Sequence, residues 1–184
     1  PLHRVRTDES HTENSGEAAV REISPPTPQV SAPRAQRRAH NVAVHQLTSR
    51  SVSTSEMRTR LDGKELPPEV IEHEIEELRR VGLLDDQALA EDLVDRYARR
   101  GRMGKLAVVA KLRYRGIPED TIELAVSMID SESEAASVEE VARERLRKMG
   151  SLPRGVAHRR LYAYLQRKGF SSSDIAQTLE KLLA

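Results

Sequence analysis

The apolar residues of this chain follow one pattern three times over. Leu61, Leu66, Ile71, Ile75 and Leu78 are spaced as are Leu112, Ile117, Ile122, Val126 and Ile129. The spacing returns in Leu165, Phe170, Ile175, Leu179 and Leu182. The last three members of each set stand at i, i+4 and i+7, which marks one buried face of a helix. The first member of each set closes the helix before it. A repeat of 51 and then 53 residues is the signature of tandem structural units.

The punctuation between apolar runs repeats as well. Gly116 and Gly169 follow basic helices at the position where a left-handed residue is wanted. The first copy has Glu65 there and carries Gly63 instead, so its turn is expected to be built differently. Pro67 and Pro68, Pro118, and the run Ser171, Ser172, Ser173 are helix-start signals. Ser53 with Glu56 reads as a capping box. Gly82 stops a helix, and Asp85 or Asp86 caps the next. Gly101 and Gly104, then Gly150, Pro153 and Gly155, separate the first two helices of the second and third copies. No alternating apolar run and no hairpin turn signal occurs.

These signals predict an all-α fold of three tandem three-helix, helix-turn-helix-like units, at residues 40–86, 87–133 and 134–184. A unit this short has little core of its own. Stacking against neighbours is the expected remedy, in an elongated array that the stacking can curve. Residues 1–39 read as a disordered tail: polar residues dominate, Ser24-Pro25-Pro26-Thr27-Pro28 breaks any helix, and no apolar period survives. Arg34, Arg37 and Arg38 end that tail as a basic patch, either a solvated linker or an arm that touches nucleic acid.

Composition supports thin helices over one large core: 32% of residues are charged, 3% are aromatic, and there is no Trp and a single Phe. With no Cys, disulfides, thiolate metal sites and cysteine nucleophiles are excluded, and a reducing cytoplasm is the expected location. No apolar run approaches the ~20 residues of a membrane span.

The net charge of +1 hides a segregated distribution. Arg96, Arg99, Arg100, Arg102, Lys105, Lys111, Arg113 and Arg115 lie in one stretch without an acidic residue. The third unit holds Arg154, Arg159, Arg160, Arg167 and Lys168, again without an acid among them. Acidic runs follow, as in Glu119, Asp120 and Glu123. One reading pairs basic helices with acidic neighbours. The other makes the basic stretches a repeated stripe for a polyanion or an acidic protein surface, because surface pairs alone stabilise little.

Catalytic motifs are absent. Gly101-Arg102-Met103-Gly104-Lys105 resembles part of a phosphate loop, but Arg99 stands where the first glycine is needed and Leu106 where Ser or Thr is. His40 and His45 are five apart with no third ligand near, so no metal is expected. No cofactor is expected either. Of the tyrosines, Tyr97 continues the face of Leu89 and Leu93 and reads as core, while Tyr114 is the best candidate for stacking on a base.

The segment Gly82-Leu83-Leu84-Asp85-Asp86, followed by Leu89-Ala90 and Arg96, resembles the signature of the RecX family of bacterial recombination regulators. Lys111-Leu112-Arg113-Tyr114-Arg115-Gly116-Ile117 and Tyr164-Leu165-Gln166-Arg167-Lys168-Gly169-Phe170 resemble its helix-end pattern in the second and third units. The likeness covers about residues 42–184. Two positions depart from it: Leu89 stands where the family commonly has Phe, and Glu65 where the other units have Gly. The resemblance implies a modulator of RecA; the chain itself is expected to be a monomer without catalytic activity. Such a protein binds the recombinase and its filament on single-stranded DNA, and limits filament growth, ATP hydrolysis, strand exchange and cleavage of the SOS repressor. The thirteen basic residues named above would contact RecA carboxylates or DNA phosphates, with DNA itself as an added partner. The rival readings are a stand-alone DNA-binding protein of helix-turn-helix type and an α-solenoid adaptor.

Overall fold

Each copy of the apolar pattern folds as three helices around a core of its own. A computed structural model describes residues 32–183. The first unit comprises α1 (Ala32–Ser49), α2 (Thr54–Asp62) and α3 (Pro68–Arg80). The second comprises α4 (Asp86–Val94), continued by a π-helical turn over Asp95–Arg100, then α5 (Lys105–Tyr114) and α6 (Glu119–Ser127). The third comprises α7 (Ser131–Met149), α8 (Arg154–Arg167) and α9 (Ser172–Leu183). No strand occurs among the described residues, and none of their helices is long and apolar enough to cross a membrane.

The repeated apolar positions are the core positions. Leu61, Ile71, Ile75 and Leu78 are buried in the first unit, with Met57 and Ala43. Leu112, Ile122 and Val126 are buried in the second with Leu89 and Leu93. Leu165, Phe170, Ile175 and Leu179 are buried in the third with Leu161 and Val138. The three clusters are separate, so apolar burial holds each unit together and polar contacts join one unit to the next.

The expected caps form. Ser53 accepts from the Glu56 amide while Glu56 reaches back to the Ser53 amide, completing the capping box. Asp85 caps α4 by accepting from the Ala88 amide at 2.9 Å. Asp86 does something else: its carboxylate accepts from the Thr54 amide at 2.8 Å, so it caps α2 of the neighbouring unit. At the start of α9, Ser171 accepts from the Asp174 amide at 3.1 Å.

One expectation is corrected and one is refined. The predicted tail of residues 1–39 lies mostly outside the described residues, but Ala32–Ala39 are helical and already belong to α1. Their burial runs through Ala35, Ala39 and Ala43, each fully buried. A four-residue period of alanines is an apolar stripe too weak in hydrophobicity to stand out from sequence. The first unit's turn, expected to differ from the others, shares their left-handed residue but lacks the bond that the Ile117 and Phe170 amides make to the Leu112 and Leu165 carbonyls. Glu65 takes φ +54° at the position where Gly116 and Gly169 take +67° and +86°, so a non-glycine residue occupies the left-handed region there, at a cost of about 1–2 kcal/mol.

Candidate partner-binding surface

The middle helices of the three units follow one another end to end. The C-terminus of α8 meets the N-terminus of α5, and the C-terminus of α5 meets the N-terminus of α2. At the first junction the Gly104 amide donates to the Lys168 carbonyl at 2.9 Å and the Leu106 amide to the Gly169 carbonyl at 3.1 Å. The amide between them, on Lys105, donates to the Glu134 carboxylate at 2.8 Å. Gly104 has no side chain with which to cap α5, so the third unit supplies every partner for these three amides. The helix ends are also matched electrostatically, because the carbonyl end of one dipole faces the amide end of the next.

At the second junction the Ser53 hydroxyl donates to the Arg115 carbonyl at 2.5 Å. The Arg115 guanidinium forms a two-pronged pair with Glu56 at 2.7 and 2.8 Å and also donates to the Ser51 carbonyl. Burial pushes the Glu56 carboxyl up. Hydrogen bonds from Arg115 and the Ser53 amide, with the charges of Arg115 and Arg50, outweigh it and hold this acid below the usual carboxylate range. Arg115 is held correspondingly high by the same hydrogen bond.

Two glycines permit these junctions. A Cβ on Gly116 would sit 2.6 Å from the Ser55 hydroxyl, and one on Gly169 would collide with the Cβ and backbone nitrogen of Ala107. A glycine at the end of a basic middle helix therefore does two things: it supplies the left-handed turn and it admits the neighbouring unit.

The thirteen predicted basic residues divide by whether a carboxylate holds them. Six of the second unit's eight are committed in this way. Arg96 pairs with Asp92 at 2.6 Å, while Arg99 and Arg100 share Asp95 at 3.4 and 3.1 Å. Arg102 crosses to the third unit and binds Glu140 at 2.9 Å and Glu144 at 3.2 Å. Arg113 pairs with Glu119 and Arg115 with Glu56. Arg102 and Arg115 are thus inter-unit ties, one at each junction. Lys105 and Lys111 have no ion pair among the described residues. Neither has any of the third unit's five: Arg154, Arg159, Arg160 and Arg167 are exposed and Lys168 is half-buried. Of the acids that neutralise the second unit's run, Asp92, Asp95 and Glu119 are its own, whereas Glu56, Glu140 and Glu144 come from other units, which linear spacing does not reveal.

The tyrosines separate as well. Tyr97 packs against the second core, and Tyr162 and Tyr164 against the third. Tyr164 also carries the Arg145 guanidinium 4.8 Å above its ring. Tyr114 alone is exposed, at 88%.

Comparison with known proteins settles the family. The profile described as RecX, first three-helix domain, matches residues 39–78, the second three-helix domain matches 85–126, and the third matches 132–179. The chain belongs to the RecX family. Regulatory protein RecX of Thermobifida fusca is 35% identical over 136 residues, 73% of each chain. That of Mycobacterium marinum is 32% identical over 166 residues, covering 88% of this chain and 94% of the relative. The crystal structure of RecX from Lactobacillus salivarius superposes with a TM-score of 0.74 at 18% identity, over 80% of this chain and 96% of that one. A second crystal structure of regulatory protein RecX gives 0.72 at 24%, over 81% and 74%. These structures bear out the all-α, three-unit fold.

Proposed function

We propose that the chain is a regulator, mainly negative, of a RecA recombinase. It acts by binding RecA and its filament on single-stranded DNA, and so limits filament growth, ATP hydrolysis, strand exchange and SOS co-protease activity. The observation that carries this reading is the end-to-end row of middle helices in a RecX-family chain. The row presents the same helix of each unit in succession, which suits a partner that is itself a repeating polymer. Several weak contacts spaced along one row reinforce one another once the first has formed.

Within the row, contact with acidic protein side chains or DNA phosphates falls chiefly to the basic residues that no carboxylate occupies. These are Arg154, Arg159, Arg160, Arg167 and Lys168, with Lys105 and Lys111. Arg96, Arg99, Arg100 and Arg113 contribute less, because each must first leave an acidic partner. Arg102 and Arg115 act by keeping the units in line.

The test is the rate of RecA ATP hydrolysis on single-stranded DNA, titrated with the chain well below the RecA concentration. A steep fall is expected, and replacing Arg159, Arg160 and Arg167 together with alanine is expected to weaken it. A flat titration with the wild-type chain would remove the regulatory reading.

A further inference from the structure

We propose that the first unit carries a second binding track, for single-stranded nucleic acid, that works without any recombinase. It runs along α1, passes the C-terminal end of α2 and finishes at Tyr114. None of its principal residues belongs to the predicted stripe.

Two clefts define the track. One, of about 580 Å³, is lined by Arg34, Arg37, Arg38 and His45 of α1 and by Arg60 and Lys64 at the end of α2, and no acidic side chain lines it. The other, of about 570 Å³, lies between the first and second units and is lined by Arg50, Arg113 and Tyr114, again with Arg60 and Lys64. The two clefts adjoin at Arg60 and Lys64, which line both. Glu56 is the single acid lining the second cleft, and Arg115 and Arg50 already neutralise it.

Among the described residues, the charge on this face has no structural use. Arg34, Arg37, Arg38, Arg60 and Lys64 make no ion pair there, whereas Arg58, on the same helix as Arg60, is bound to Glu72 at 2.7 Å. α1 contains no Asp or Glu at all. Like charges three and four residues apart, as at Arg34, Arg37 and Arg38, destabilise a helix. A helix that concentrates them along one side of a cleft holds a site suited to anions.

Tyr114 selects the kind of anion. It is 88% exposed, stands beside Arg113 and Arg115, and belongs to no core cluster. A bare aromatic ring at the end of a cationic groove matches a phosphodiester strand whose bases are free to stack. A duplex keeps its bases stacked on one another and has none to offer the ring. An acidic protein surface gains nothing particular from it.

The measurement is fluorescence anisotropy of the full chain with a labelled thymidine oligonucleotide, at several salt concentrations and without recombinase. The oligonucleotide should exceed the ~4–16 nucleotides typical of single-strand sites. Binding is expected to weaken steeply with salt. Arg37→Ala with Arg60→Ala and Lys64→Ala should flatten the log–log salt slope by about 2, at roughly 0.7 for each phosphate no longer neutralised on a single strand. Tyr114→Ala should weaken binding about 5- to 150-fold while Tyr114→Phe retains it, since stacking uses the ring and not the hydroxyl. These side chains are exposed, or half-buried in the case of Lys64, and circular dichroism checks that each variant remains helical.

Four results would overturn the proposal: no binding by the wild-type chain, wild-type affinity in the first-unit triple variant, equal affinity for duplex with no effect of Tyr114→Ala, or preference for an acidic polypeptide over the oligonucleotide. Failure here leaves the recombinase titration unaffected, and failure there leaves this binding unaffected, so the two readings fall separately.

Discussion

Replacing Gly169 with alanine isolates what the junction between the second and third units contributes. Gly82 is the natural control, because the two positions share a left-handed backbone, φ +86° and +72°, and differ in surroundings. A Cβ on Gly82 meets nothing within 4 Å, so Gly82→Ala carries the conformational cost alone, about 1–2 kcal/mol. A Cβ on Gly169 strikes the backbone and side chain of Ala107 in the first turn of α5. Neither side is the far end of a flexible chain, so the units must move apart. Overpacking of this kind costs about 1–3 kcal/mol. Separation also strains the bonds from the Gly104 and Leu106 amides to the Lys168 and Gly169 carbonyls, each contributing about 0.5–1.5 kcal/mol. Gly169→Ala is therefore expected to cost about 3–8 kcal/mol in all. With urea slopes of about 1–3 kcal/mol per molar, its unfolding midpoint should fall by at least about 1 M, and clearly further than that of Gly82→Ala. Hydrogen exchange should locate the loss at the Gly104 and Leu106 amides. Equal midpoint shifts for the two variants would mean that the junction bears no close approach, and would refute this assignment of the cost.

Two further outcomes follow from the same geometry. Glu65→Gly should stabilise the chain by about 0.5–1 kcal/mol, because relief of the left-handed strain exceeds the added freedom of glycine in the unfolded chain; a fall in the urea midpoint would contradict this. Glu56 has its folded-state pKa lowered, so its contribution is fully present above the ordinary glutamate range and disappears as pH falls through the depressed value. Glu56→Gln should therefore cost about 1 kcal/mol near neutrality, after discounting a charged hydrogen bond for solvent screening at this partly exposed pair. Relative to wild type it should cost almost nothing in strong acid, and a pH-independent difference would show that the pair's charge is irrelevant.

Much of this molecule was legible from one dimension. The apolar spacing i, i+4, i+7 named Ile71, Ile75 and Leu78 and their counterparts as core, because a helical face repeats every 3.6 residues and burial must follow it. The caps at Ser53 and Asp85 were legible for a related reason: an orphan amide is met by a side chain three residues before it. Local periodicity also divides the chain into three units. It did not reveal the full length of α1, where the buried stripe is alanine and Arg34, Arg37 and Arg38 looked like part of a polar tail.

What only the tertiary structure decided is which charges are spoken for. Arg102 and Arg115 look no different in sequence from Arg159 and Arg160, yet their partners, Glu140, Glu144 and Glu56, arrive from other units. Asp86, read as a cap for its own helix, caps α2 across a junction for the same reason. Gly116 and Gly169 could be placed at helix ends from their order in the chain, but their need to admit Ser55 and Ala107 could not. A helix cap depends on residues a few positions apart, and the backbone brings them together wherever the helix forms. A junction depends on residues tens of positions apart, and only the packed fold brings those within reach.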